Sequence, residues 1–79
     1  MPNASVLATA KARQLSQSGR ARRIREAAGV PQSHLAAEIK VAKSTLCRWE
    51  KGERTPTGPA AERWLALLAL LADYGTEDA

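Results

Sequence analysis

Clusters of turn-forming residues interrupt this chain at Ser16–Gly19, Gly29-Val30-Pro31, Lys40–Ala42, Gly52 to Pro59 and Gly75, and this punctuation constrains the fold more than any other feature. Between the clusters, apolar residues recur at helical intervals. No run alternates with period two and β-branched residues are scattered, so strands are not expected. The pattern predicts an all-α chain, a compact bundle of about five helices. Its 79 residues suit one domain near the lower limit of what buries a useful core. Disulfides cannot add to that core, because Cys47 is the only cysteine, and one Cys with one His (His34) does not make a metal site. A second copy of the chain is the remaining common way to stabilise so short a sequence.

Five segments follow from the punctuation. The first, about Ser5 to Leu15, is alanine-rich, with Val6, Leu7, Ala10 and Leu15 in loose helical spacing; it is either a helix or a basic arm ordered only by a polyanion. The second, Ser18 to Ala28, carries Ala21, Ile24, Arg25 and Ala28 on one side, and Gly29 follows where glycine relieves left-handed strain. The third runs from Pro31 to Ile39, with proline acceptable in the first turn and Leu35, Ala36 and Ile39 facing inward. The fourth runs from about Lys43 to Lys51, turns Leu46 and Trp49 inward and stops at Gly52. The last, Gly58 or Pro59 to Tyr74, is a long apolar C-terminal helix.

Charge is unevenly shared. Residues 1–54 hold eleven Lys/Arg against four acids, a balance of +7, whereas residues 55–79 hold Arg63 against Glu62, Asp73, Glu77 and Asp78, a balance of −3. A basic front with an acidic tail fits a polyanion partner on one face, although a solvated basic surface would look the same. The third and fourth segments sharpen the choice. Two short helices joined by a three- to four-residue turn can cross steeply around Leu35, Ile39, Val41, Leu46 and Trp49. The residues facing away from that core on the second of them are Lys43, Ser44, Thr45, Arg48 and Lys51. Short hydroxyls and cations of this kind can enter a major groove, where Arg or Lys donates to guanine and Ser or Thr pairs with several base edges.

The stretch from Arg22 to Ala36, with Gln32 ahead of Leu35-Ala36, followed by Ser44 to Pro56 with its Trp49-Glu50-Lys51-Gly52 ending and a proline soon after, resembles the phage repressor/Cro helix-turn-helix family over about residues 18–56. The resemblance implies a helix-turn-helix motif at 31–51 inside a domain spanning 18–79, preceded by an N-terminal helical or arm-like extension at 1–17. It implies that Lys43, Ser44, Thr45 and Arg48 read bases. Gln32 corresponds to a glutamine that bonds a DNA phosphate and braces the recognition helix. Lys51 and Arg54 sit where the following loop touches the DNA backbone, and Arg22, Arg23 and Lys40 are further candidate phosphate contacts. Arg25 and Glu50 resemble a pair that ties the preceding helix to the end of the recognition helix; the plainer reading of Glu50 is a solvated carboxylate, but its place beside Trp49 favours the tied pair. The chain departs from the family at three joints. Lys40 stands where the turn usually has a left-handed glycine, Ala42 where Ser or Thr caps the recognition helix, and Pro31 in place of another capping residue. Each uncapped or strained joint costs about 1 kcal/mol.

Other chemistry is not expected. Cys47 has no base nearby in sequence and no oxyanion feature, His34 reads as a surface residue, and Trp49 and Trp64 read as core aromatics. Gly-rich phosphate loops, paired acids and metal spacings are absent from the sequence, so no enzyme, cofactor, metal or small-molecule ligand is anticipated. The apolar stretch Val6 to Ala10 is too short for a signal peptide and the run Trp64 to Ala72 too short to span a bilayer. The expectation is therefore a cytoplasmic, nucleoid-associated protein with no membrane partner.

The last helix has apolar surface to spare. Ala61, Trp64, Leu65, Leu68, Leu71 and Ala72 cluster on one face and Leu67, Leu70 and Tyr74, with Arg63, form a second; Glu62, Ala66, Ala69 and Asp73 make the back. So wide an apolar arc fits either a helix sunk deeply in the domain or a homodimer seam on Leu67, Leu70, Leu71 and Tyr74. The combined reading is a sequence-specific double-stranded DNA-binding transcriptional regulator, a Cro-like repressor that reads an inverted repeat as a dimer. The alternative is an antitoxin-like protein-interaction module with secondary DNA binding, against which the short stretch Gly75 to Ala79 argues.

Overall fold

Four of the five turn-forming clusters hold the joints of an all-helical chain; the fifth, Gly75, does not break the last helix, which runs on to Thr76. In the computed structural model, which describes residues 4–76, α1 spans Ala4–Ser18, α2 Arg20–Ala27, α3 Gln32–Ile39, α4 Lys43–Lys51 and α5 Gly58–Thr76. No described residue lies in a strand, and no described helix is long and apolar enough to cross a membrane. Glu77 and Asp78 of the acidic tail fall outside the described residues.

The core follows the apolar stripes of the short helices. Leu35, Ala36 and Ile39 of α3 and Leu46 and Trp49 of α4 are buried, together with Ala21 of α2 and Ala61, Trp64 and Leu68 of α5. Val41, in the turn, is only half-buried. Trp49 and Trp64 pack with ring centroids 5.2 Å apart and planes tilted by 54°, a geometry whose quadrupole attraction adds about 0.5–1.5 kcal/mol to the burial itself. The two tryptophans thus join α4 to α5.

The first helix differs from its apolar spacing. It runs three residues past Leu15, and it turns inward Ala12 and Ser16 rather than Val6 and Leu7, which are 66% and 57% exposed. The reason is size. Residues 12 and 16 lie one turn apart on a single stripe, and small side chains there let α1 settle closely on its neighbours. Helix α1 packs against α5, α2 and α4, and with Lys11 and Leu15 it lines a groove over Leu65 and Leu68. Part of the wide apolar arc of α5 is covered in this way: Leu65 and Ala72 are half-buried, while Leu67 and Leu71, also half-buried, lie in a groove with Val30, His34 and Leu35. Leu70 and Tyr74 remain 68% and 63% exposed. On the opposite side Arg63 Nε donates to the Ile39 carbonyl at 3.1 Å, supplying a partner for one of the acceptors that a helix C-terminus leaves free.

Two joints show what the backbone demands. Gly52 ends α4 at φ 76°, and a Cβ there would sit 3.4 Å from the Ser16 carbonyl oxygen and 3.5 Å from Gln17 Cα, so both conformation and the close approach of α1 favour glycine. Lys40 ends α3 at φ 63° although it carries a Cβ, and it is the one non-glycine with positive φ among the described residues. Its N–H and that of Val41 reach back to the Ala37 and Ala36 carbonyls at 3.2 and 3.0 Å, closing the helix as a left-handed cap does. Lys40→Gly should therefore stabilise the chain by about 1 kcal/mol, or roughly 4–8 °C in melting temperature for a domain of this size. Thermal unfolding followed by circular dichroism checks this; an unchanged or lower midpoint would show that the left-handed lysine is not strained.

Candidate nucleic-acid interface

Helices α3 and α4 are joined by three residues, Lys40-Val41-Ala42, and pack together through the apolar side chains between them. Neither helix has a side-chain N-cap: Pro31 and Ala42 occupy those positions in extended conformation without a capping hydrogen bond. The first helical bond of α4, from Leu46 N–H to the Ala42 carbonyl, measures 3.1 Å. With Leu46 and Trp49 anchored in the core, the opposite surface of α4 is presented outward. Lys43, Ser44, Arg48 and Lys51 are exposed, and Thr45 and Cys47 are half-buried. Lys40 is exposed at the turn and Arg54 in the loop after α4, so cations flank the hydroxyls of Ser44 and Thr45 on both ends. Such a surface can donate to base edges at its centre and to phosphates at its margins.

The inner side of α4 is held by charge as well as by packing. Arg25 of α2 meets Glu50 through two bonds, Nε to Oε2 at 2.6 Å and Nη2 to Oε1 at 3.0 Å. Their side chains are only 9% and 2% exposed. The remaining guanidinium nitrogen, Nη1, donates to the Val30 carbonyl at 2.8 Å. Gln32, which opens α3, donates from Nε2 to Glu50 Oε1 at 2.9 Å. One carboxylate therefore accepts from both α2 and α3. Its hydrogen bonding to Glu50 and the charge of that carboxylate, with a smaller contribution from Glu26, hold the Arg25 guanidinium protonated more firmly than usual and outweigh the opposing effect of burial. A fork-shaped cation paired with both carboxylate oxygens is the strong form of this interaction.

The structure brings some of the expected site residues together and keeps others apart. Gln32 is half-buried and engages Glu50; an amide carries two N–H donors, so this bond uses one of them. Arg22 is exposed but paired with Glu26, Nε to Oε2 at 3.0 Å, an exposed i,i+4 contact of the kind that contributes little. Arg23 is exposed, its Nη1 3.5 Å from the Ser18 carbonyl. Leu67 and Leu71 line a groove with Val30, His34, Leu35 and Glu38, and the exposed Leu70 and Tyr74 belong to the same helix. No group of three or more His, Cys, Asp or Glu among the described residues could hold a metal ion.

Two contacts escaped the sequence reading. The Ser16 hydroxyl donates to the Trp49 carbonyl in the last turn of α4 and lies 3.5 Å from the Arg54 carbonyl. Arg63 reaches the end of α3, as described above. The signal for Ser16 was its one-turn spacing from Ala12, two small residues on one stripe; Arg63 had no local signal.

Over residues 18–78 the chain matches the helix-turn-helix domain family, a span that begins at the last residue of α1. No curated protein and no solved structure matches it. Because the Arg25–Glu50 pair is buried, removing either partner strands the other charge, at about 3–5 kcal/mol. Glu50→Ala and Arg25→Ala should each lower stability by that amount, and Gln32→Ala by less, since it deletes one hydrogen bond to a charged group worth about 1.5–3 kcal/mol. Denaturant unfolding measures all three; wild-type stability in either charge deletion would reduce the pair to a surface contact.

Proposed function

The chain belongs to the helix-turn-helix domain family, and from that premise we propose that it binds double-stranded DNA sequence-specifically and regulates transcription as a Cro-like phage repressor. The observation that carries this reading is the division of α4. One side is anchored by Leu46, Trp49 and Glu50, while the other presents Lys43, Ser44, Thr45, Arg48 and Lys51 with little acidic interruption. Helix α4 enters the major groove. Lys43, Ser44, Thr45 and Arg48 address base edges; Lys40, Lys51, Arg54, Arg23 and the second amide N–H of Gln32 address phosphates, and Arg22 joins them when it releases Glu26.

A dimer completes the reading. A single recognition helix spans a few base pairs, too little information to find one operator among the competing sites of a genome. Two copies related by a twofold axis read an inverted repeat with half-sites roughly 34 Å apart. The exposure of Leu70 and Tyr74, beside the groove lined by Leu67 and Leu71, supports a seam there. Interfaces of small dimers can be weak, and association is expected at high concentration or on DNA.

Base reading and backbone holding are separable in solution. Arg48→Ala should cost about 1–3 kcal/mol on a preferred duplex and relax preference at one base pair. Lys51→Ala and Arg54→Ala should weaken all sequences alike and flatten the salt dependence by about one unit each. Equal weakening of preferred and random duplexes by Arg48→Ala would refute the assignment.

The seam has its own measurement. The double substitution Leu67→Glu, Leu70→Glu should leave a folded, helical monomer that binds a half-site weakly and has lost cooperative binding to a two-half-site duplex. Sedimentation, with titration of whole and half sites, reads both properties. Wild-type steepness on the full site would place the seam elsewhere or leave the chain monomeric.

A further inference from the structure

Helix α1 precedes most of the span shared with the helix-turn-helix family, yet it is built into the side of the molecule that carries the α4–α5 loop. Its buried stripe is Ala12 and Ser16, at 0% and 2% exposure. Successive residues on a helix lie about 100° apart, so the stripes on either side of the buried one are 11/15 and 13/17. They have different neighbours. Lys11 and Leu15 face α5, where they line a groove with Leu65 and Leu68. Arg13 and Gln17 lie on the other side, and Gln17 is against the loop: a Cβ on Gly52 would sit 3.5 Å from Gln17 Cα and 3.9 Å from its Cγ. The Ser16 hydroxyl fixes this approach by donating to the Trp49 carbonyl, with the Arg54 carbonyl 3.5 Å away.

We propose that α1 is a further DNA-backbone contact of this chain, with Arg13 and Gln17 taking duplex phosphates next to those held by Lys51 and Arg54. Arg13 and Gln17 are exposed, and Arg13 forms no ion pair among the described residues. It stands one helical turn, about 6 Å along the axis, from Gln17, and an arginine side chain extends that reach outward. Lys51, Arg54, Gln17 and Arg13 then form a continuous strip of donors that begins at the end of the recognition helix and runs up α1. Phosphate oxygens accept from side-chain cations and amides without regard to sequence, so the strip adds affinity and orientation while leaving base preference to α4. Ser16 acts through others: it positions the strip by tying the end of α1 to the last turn of α4.

This inference rests on the DNA-binding reading, and Lys11 gives it an internal control. Lys11→Ala removes the same charge from the same helix but on the stripe that faces α5. Affinity for each of two fixed duplexes of different sequence is measured between 50 and 200 mM salt for wild type, Arg13→Ala and Lys11→Ala, with circular dichroism to verify that all three are folded. Arg13→Ala should weaken binding severalfold and flatten the plot of log affinity against log salt by about one unit, with unchanged preference between duplexes; Lys11→Ala should leave the slope as in wild type. Equal flattening in both variants overturns the proposal in favour of a general net-charge effect, and a wild-type slope in Arg13→Ala overturns it outright. A wild-type chain that retains no duplex at 50 mM salt overturns the DNA-binding reading itself, a result distinct from either of those.

Discussion

The carboxylate of Glu50 is the interaction on which the rest of the site depends. It lies on the inner side of α4 and accepts two bonds from Arg25 and one from Gln32, so a single buried anion fixes the helix against both α2 and α3. Burying a carboxylate is costly unless its lone pairs are filled and its charge matched. Here three donors and one guanidinium meet both conditions. The apolar contacts of Leu46 and Trp49 would hold α4 at some angle; the forked pair, with its directional bonds, selects one. The outward direction of Arg48, on the face opposite Leu46, is a consequence of that choice.

A second constraint is the small size of the chain. Its turn is locally unfavourable, with a lysine in left-handed conformation and two helices that start without side-chain caps. Each of these costs about 1 kcal/mol, a large share of the stability of so short a domain. Compensation comes from outside the motif. Ser16 bonds the last turn of α4, Arg63 bonds the end of α3, and Trp64 packs on Trp49. Helices α1 and α5 therefore act on the motif from both flanks, and neither is a passive extension.

Much of this was legible in the sequence, and the parts that were not have a common cause. Turn chemistry located most of the joints, because glycine admits the left-handed backbone that other residues resist and proline fixes φ; Gly75, which continues α5, is the exception. The inward residues of α3 and α4 were legible because Leu35, Ile39, Leu46 and Trp49 are large and spaced at helical intervals. In α1 the same logic pointed to Val6 and Leu7, which are exposed. The residues that count there, Ala12 and Ser16, carry almost no hydrophobic signal, and their contribution is the space they leave. The resemblance named Arg25 and Glu50 together, but no spacing showed that Gln32 turns onto the same carboxylate. Nor did any show that Arg63 leaves the apolar side of α5 for a backbone carbonyl of α3. Contacts from a side chain to a distant backbone atom depend on the assembled fold and leave no periodic trace.

The central claim is that α4 reads sequence while the surrounding cations hold the backbone. Selection of bound sites from a pool of randomised duplexes, using the wild-type chain at one fixed salt concentration, tests it most directly. The account predicts enrichment of one short motif, recovered as two inverted copies about one helical turn apart. A pool that is retained by the protein but stays random in sequence would contradict it, because the chain would then be holding phosphates without reading bases.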